Sequence, residues 1–184
     1  MDLTVLIPSG AFLAMVVLFA LVLRRTGRVI ADTRHAEAFR GSIEDLATRV
    51  DVSLGGIVER IDGVRRHQLP PGGIGESLAA ALDAVERYGA EAQALDGPAS
   101  AARQRAGILA ELERSGRALR MVEHGCRRLA AARGIGRDVE GETAVKRGYL
   151  NLLHAREAIA DHAREIAETN AGIEPRWYSR RRRA

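Results

Sequence analysis

From Leu3 to Leu23 the chain carries no charged residue. A helix of that length rises about 31 Å at 1.5 Å per residue, close to the thickness of a bilayer's hydrocarbon core. The stretch is therefore expected to be a single N-terminal transmembrane helix. Pro8, Ser9 and Gly10 fall near its start, where a proline is best tolerated. A cleaved signal peptide would need a basic start and small residues before the cut, whereas here Asp2 precedes the run and Leu21, Val22 and Leu23 lead into Arg24 and Arg25. Because basic flanks stay on the cytoplasmic side, the expected topology is single-pass in the cell membrane. The N-terminus would be outside and the rest of the chain cytoplasmic.

The formal charge of +4 is unevenly distributed. Arg24, Arg25 and Arg28 follow the apolar run, and Arg176 and Arg180 to Arg183, less Glu174, leave the tail at +4. Residues 29–171 hold 20 basic and 22 acidic side chains, so the body is slightly acidic. That weakens the reading of a uniformly basic domain that tracks nucleic acid. Cys126 is the only cysteine, so no intramolecular disulfide can form.

Aromatic residues make up only 4% of the chain, and alanine, leucine, arginine and glutamate dominate after the anchor, which favours helix over strand. The expected fold is all-α: an anchor and basic flank over 1–28, an antiparallel helical bundle or coiled-coil domain of about four helices over 29–172, and a basic aromatic tail over 173–184. The first helix is expected to run on from the anchor to about Gln68, with Phe39, Ile43, Leu46, Val50, Ile57, Ile61 and Val64 on one stripe. Leu69-Pro70-Pro71-Gly72-Gly73 ends it. The second should span about Ile74 to Leu95, burying Ile74, Leu78, Leu82, Val85, Ala92 and Leu95, before Asp96-Gly97-Pro98 stops it and places Pro98 at the start of the third. That third helix carries a heptad, Ile108, Leu112, Ser115, Leu119, Val122, Cys126 and Leu129, at alternating spacings of four and three. Gly134-Ile135-Gly136 breaks it. Asp138 is then a suitable N-cap, and Tyr149, Leu152, Ile159, Ala163 and Ile166 form the buried side of the fourth. Glycines inside these helices, among them Gly55, Gly56, Gly89, Gly107, Gly116 and Gly125, each cost roughly 1 kcal/mol relative to alanine. They either permit close helix contact or loosen the bundle.

No catalytic, cofactor or metal site is expected. His154 has Glu157 three residues on and His162 eight on, without the Glu-x-x-His or His-Glu-x-x-His spacing that converges on a metal. Gly72-Gly73-Ile74-Gly75 and Gly134-Ile135-Gly136 lack the strand and the Gly-Lys-Ser/Thr ending of a phosphate loop, and read as interhelical turns. Cys126 sits at an apolar heptad position, where a small hydrophobe is expected rather than a nucleophile.

The expected site is a membrane interface formed by Arg24, Arg25 and Arg28 together with Trp177, Tyr178, Arg180, Arg181, Arg182 and Arg183. Rings suit the headgroup layer and guanidinium groups suit anionic lipid phosphates, at about 1 kcal/mol per basic residue near such a surface. The expected partners are the lipid bilayer, anionic lipid, and a protein partner or a second copy of the chain; nucleic acid is the weaker alternative. The expected function is that of a non-enzymatic, membrane-tethered scaffold or docking protein, with a regulatory helical module coupled to the transmembrane helix as the second choice.

Overall fold

The computed structural model describes the backbone of residues 3–132 and 138–171, and the side chains of 15–24, 33–132 and 138–168. The chain separates into two units, Met1–Ala38 and Phe39–Ala184. Helix α1 is assigned to Leu3–Arg65.

In the first unit Met15, Val16, Val17, Leu18, Phe19, Leu21, Val22 and Leu23 are all between 50% and 65% exposed. Residues 3–14 of the expected span Leu3 to Leu23 have side chains outside the described residues. Among the described residues no helix is long and apolar enough to cross a membrane, so the expected transmembrane helix is not borne out there.

The second unit is an all-α, four-helix arrangement. It comprises the Phe39–Arg65 part of α1 with α2 (Gly75–Ala94), α3 (Ala102–Ala131) and α4 (Val139–Ala171). Each helix has an apolar stripe that would cost free energy in water, and facing stripes are buried against one another. Arg49 of α1 bonds Glu91 of α2, and four residues on Ser53 meets Tyr88, so the two helices run antiparallel. The same opposed progression appears between α1 and α4, where Asp51 pairs with Arg156 and Arg65 with Tyr149. It recurs between α3 and α4, where Gly107 faces His162, Val122 faces Gly148, and Gly125 faces Gly141 and Val145. Helix α2 meets α3 through Glu86 and Arg120. The result is an up-and-down bundle in which α1 and α3 are diagonal.

The expected stripes are largely the observed ones. Phe39, Ile43, Leu46, Val50, Ile57, Ile61 and Val64 are all buried, as are Ile108, Leu112, Ser115, Leu119, Val122 and Cys126. Leu82, Leu95, Leu129 and Tyr149 sit at the edge of the core, partly buried. Ser115 satisfies its hydroxyl within its own helix, donating to the Glu111 carbonyl at 2.9 Å, which is how a polar residue occupies a core position without a stranded group.

The connections follow local chemistry. At the end of α1, the His67 N–H bonds the Val64 carbonyl while those of Gln68 and Leu69 bond the Gly63 carbonyl, a tight C-terminal wrap that needs a left-handed residue. That residue is His67, at φ 57°. A β-carbon in this region is strained, so His67→Gly is expected to raise the unfolding free energy by about 0.5–1 kcal/mol, measured by urea denaturation followed by circular dichroism. Pro71–Ile74 forms one 3₁₀ turn before α2. Pro98 stands one step further out than expected: it precedes a 3₁₀ turn, Ala99–Ala101, and α3 begins at Ala102. Gly97 in that connection lies under the Phe39 ring, where an added β-carbon would come within 2.5 Å of it. Asp138 caps α4 as expected, accepting the Gly141 N–H at 3.0 Å. The breaker Gly134-Ile135-Gly136 lies outside the described residues.

Candidate functional site

Among the described residues, arginine paired with carboxylate is the main polar link between the helices. The guanidinium of Arg49 takes Glu91 of α2 and Asp45 of its own helix, with its Cζ 5.6 Å from the Tyr88 ring centre. Asp51 accepts two bonds from Arg156, which holds its carboxyl below the usual aspartate range. Arg65 stacks on Tyr149 at 4.3 Å and pairs with Asp62. Arg128 reaches from α3 to Asp138 and Glu140 at the start of α4; this guanidinium and the Gly141 N–H hold the Asp138 carboxyl low. In each of these pairs at least one partner is substantially exposed, and each pair is worth little in stability. The interhelical pairs fix register, since a one-turn slip of any helix would separate those it makes with its neighbours. The charged forms of Asp51 and Asp138 are favoured, so their contribution is present above the unfolded aspartate pKa and fades as pH falls below it.

Helices α3 and α4 approach most closely at glycines. A β-carbon on Gly125 would sit 2.8 Å from the Gly141 carbonyl and 3.0 Å from the Val145 nitrogen, and one on Gly148 would sit 2.8 Å from the Ala118 carbonyl. Further along the same seam, Gly107 lies against the His162 ring. The two roles proposed for helix glycines are thus both present: Gly107 and Gly125 allow contact, while Gly56 and Gly89 have nothing within 4 Å.

Cys126 is buried in the core, and desolvation pushes its thiol up to about 11. It is a packing residue in the protonated form, as its heptad position implied. Among the described residues no group of three or more His, Cys, Asp or Glu side chains could hold a metal ion. His162 and Gln104 each keep a buried polar atom without a hydrogen bond, Nδ1 and Oε1. They lie on facing stretches of α3 and α4, and the Glu165 carboxylate stands 3.7 Å from the His162 Nδ1. An open cleft at the α1–α2 turn is lined by Val64, Arg65, Leu69, Leu129 and Lys146 among others.

Of the expected membrane-interface residues, Arg24 is exposed on α1. Arg25 and Arg28 belong to the same helix with side chains outside the described residues, and Trp177, Tyr178, Arg180, Arg181, Arg182 and Arg183 lie outside them altogether. The meeting of the two basic segments is thus a matter outside the described residues. Helix α4 runs antiparallel to α1 and ends at Ala171, at the end of the bundle where Phe39 lies. The interhelical pairs Arg49–Glu91 and Asp51–Arg156 were not foreseen; their signal lies in register, which only the assembled bundle supplies.

No protein-family model, curated protein or solved structure matches this chain.

Proposed function

We propose that this protein is a membrane-tethered helical docking protein that acts through its bundle without catalysis at the cytoplasmic face. The observation that carries the proposal is the exposed apolar run from Met15 to Leu23, continuous in sequence with the uncharged residues before it and followed by Arg24, Arg25 and Arg28. Contiguous apolar surface on this scale marks a membrane or a protein interface, and the basic flank favours the membrane with the bundle inside. The bundle, by contrast, closes its own core and presents charged faces to water, which suits a domain that recognises other proteins beside the bilayer.

Membranes from cells making the full chain are expected to retain it through washing at pH 11, and a chain starting at residue 29 is expected to be released. Retention of the shortened chain, or loss of the full one, would refute the tether. Added protease should digest the bundle only after the cytoplasmic side is opened; digestion in sealed cells would reverse the orientation.

The basic tail supports a second contact with the same surface. Its five arginines, Trp177 and Tyr178 match the chemistry of an anionic interface, and the helix that precedes the tail in sequence, α4, ends at Ala171 at the Phe39 end of the bundle. Deleting residues 173–184 is expected to weaken sedimentation of the chain starting at residue 29 with phosphatidylserine vesicles at 50 mM salt, with a smaller difference at 300 mM. Equal binding with and without the tail would remove the lipid reading, and a preference for single-stranded oligonucleotide over vesicles would replace it.

A further inference from the structure

The outward face of α2 carries a regular pattern of charge and small residues. Glu76, Ala80, Asp83, Arg87, Ala90 and Ala94 are spaced four, three, four, three and four apart, and all six are exposed. They form a heptad stripe on the side opposite the one that packs Leu78, Ala81, Val85 and Ala92 into the core. The acidic residues beside this stripe are occupied within the bundle, Glu91 by Arg49 and Glu86 by Arg120 at 3.8 Å. Asp83 and Arg87 lie at the centre of the stripe. They are four apart in the order that favours an intrahelical pair, yet among the described residues neither makes an ion pair or hydrogen bond. Ala80 and Ala90 flank them and line the same shallow hollow.

This pattern is its own complement under a two-fold axis perpendicular to the helix. When a second copy of α2 is laid antiparallel with its centre at Val85, Asp83 faces Arg87 of the other copy and Ala80 faces Ala90 of the other copy, and each contact occurs twice. Alanine at the flanking positions allows a close interaxial approach, near the lower end of the usual 8–10 Å. A parallel, in-register pair would instead place Asp83 against Asp83 and Arg87 against Arg87, which repels. We infer that α2 is a self-association face through which two copies of this chain pair antiparallel. A single 20-residue helix offers less than the roughly 1,200–2,000 Å² typical of stable complexes, so the pairing is weak and concentration-dependent. It does not depend on the membrane reading, because it is tested on solubilised full-length chain.

The test is a charge exchange across the two-fold, read by sedimentation in detergent. Wild type is expected to dimerise with rising concentration, and Asp83→Arg or Arg87→Asp alone to weaken this at least about tenfold. An equimolar mixture of those two variants is expected to recover it, because one copy then presents two arginines to two aspartates. The double exchange D83R/R87D in one chain should also recover it. As a second measurement, with a mild oxidant added to accept the two electrons, a chain carrying Ala80→Cys should form a disulfide with one carrying Ala90→Cys and not with itself; buried Cys126 stays out of the reaction. Three results would overturn the inference: a monomeric wild type at every concentration, a wild type dimer that the single exchanges leave unchanged, or A80C chains that crosslink to each other. Unchanged helicity and melting of the single variants establish that a lost dimer reflects the face and not the fold.

Discussion

Alanine at Gly125 or Gly148 is expected to lower the unfolding free energy by about 1–3 kcal/mol, the usual cost of overpacking a close interface. Alanine at Gly56 or Gly89 is expected to raise it by about 0.5–1 kcal/mol. The four substitutions are chemically identical, add one methyl group each, and gain the same helix propensity. What separates them is the surroundings of the new carbon. At Gly125 and Gly148 it would meet backbone of the facing helix at 2.8 Å, and backbone cannot move aside without pushing α3 and α4 apart along their whole contact. At Gly56 and Gly89 it meets nothing within 4 Å, so only the gain in propensity remains. Urea unfolding of the detergent-solubilised chain, followed at 222 nm, resolves the opposite signs. A stabilising G125A would mean that the two helices are further apart than described.

Cys126 makes the second large effect, and it appears at high pH. Burial holds the folded thiol at about 11 against an ordinary value of 9.0, because desolvation disfavours the thiolate. The folded state therefore binds the proton more tightly than the unfolded chain does. The corresponding stability is complete below about pH 9 and is lost as pH rises toward 11, amounting to about 2–3 kcal/mol over that interval. Cys126→Ala removes this part of the slope, so the difference between wild type and variant across pH 9 to 11 isolates it. At neutral pH the same burial should make the thiol react with a disulfide reagent only as fast as the bundle opens. Rapid reaction in native conditions would show that the core admits reagent at this position.

Much of the bundle was legible because a helix packed on neighbours must repeat apolar residues every three or four positions, and α1, α3 and α4 do so. The buried stripe on α1 is wider than its three-and-four spacing implies. Leu54 and Val58 are buried as well, at 1% and 6% exposure, since this helix faces both α2 and α4 and buries a wider arc than a two-helix seam requires. Asp138 could be read as a cap because its bond is local, to a group three residues away. Asp51 and Arg156 could not be paired in advance, since they are 105 residues apart and meet only once the register of α1 against α4 is set. The glycines mark the limit most clearly. Gly89 and Gly125 look alike in sequence and differ entirely in what they face.

The bridge from Asp51 to Arg156 has a bearing on how the chain is made. Each earlier helix meets its sequence neighbour across a short turn, so α1 with α2, and then α3, can assemble as they emerge from the ribosome. Only α4 must return to the first helix. Until residue 156 is outside the exit tunnel, the α4-facing flank of α1 has no cover, and the bundle remains an open three-helix sheet with its apolar edge in water. Closure of the ring is thus deferred to the end of synthesis, and a chain stopped in the α3–α4 connection would be the form most in need of a chaperone.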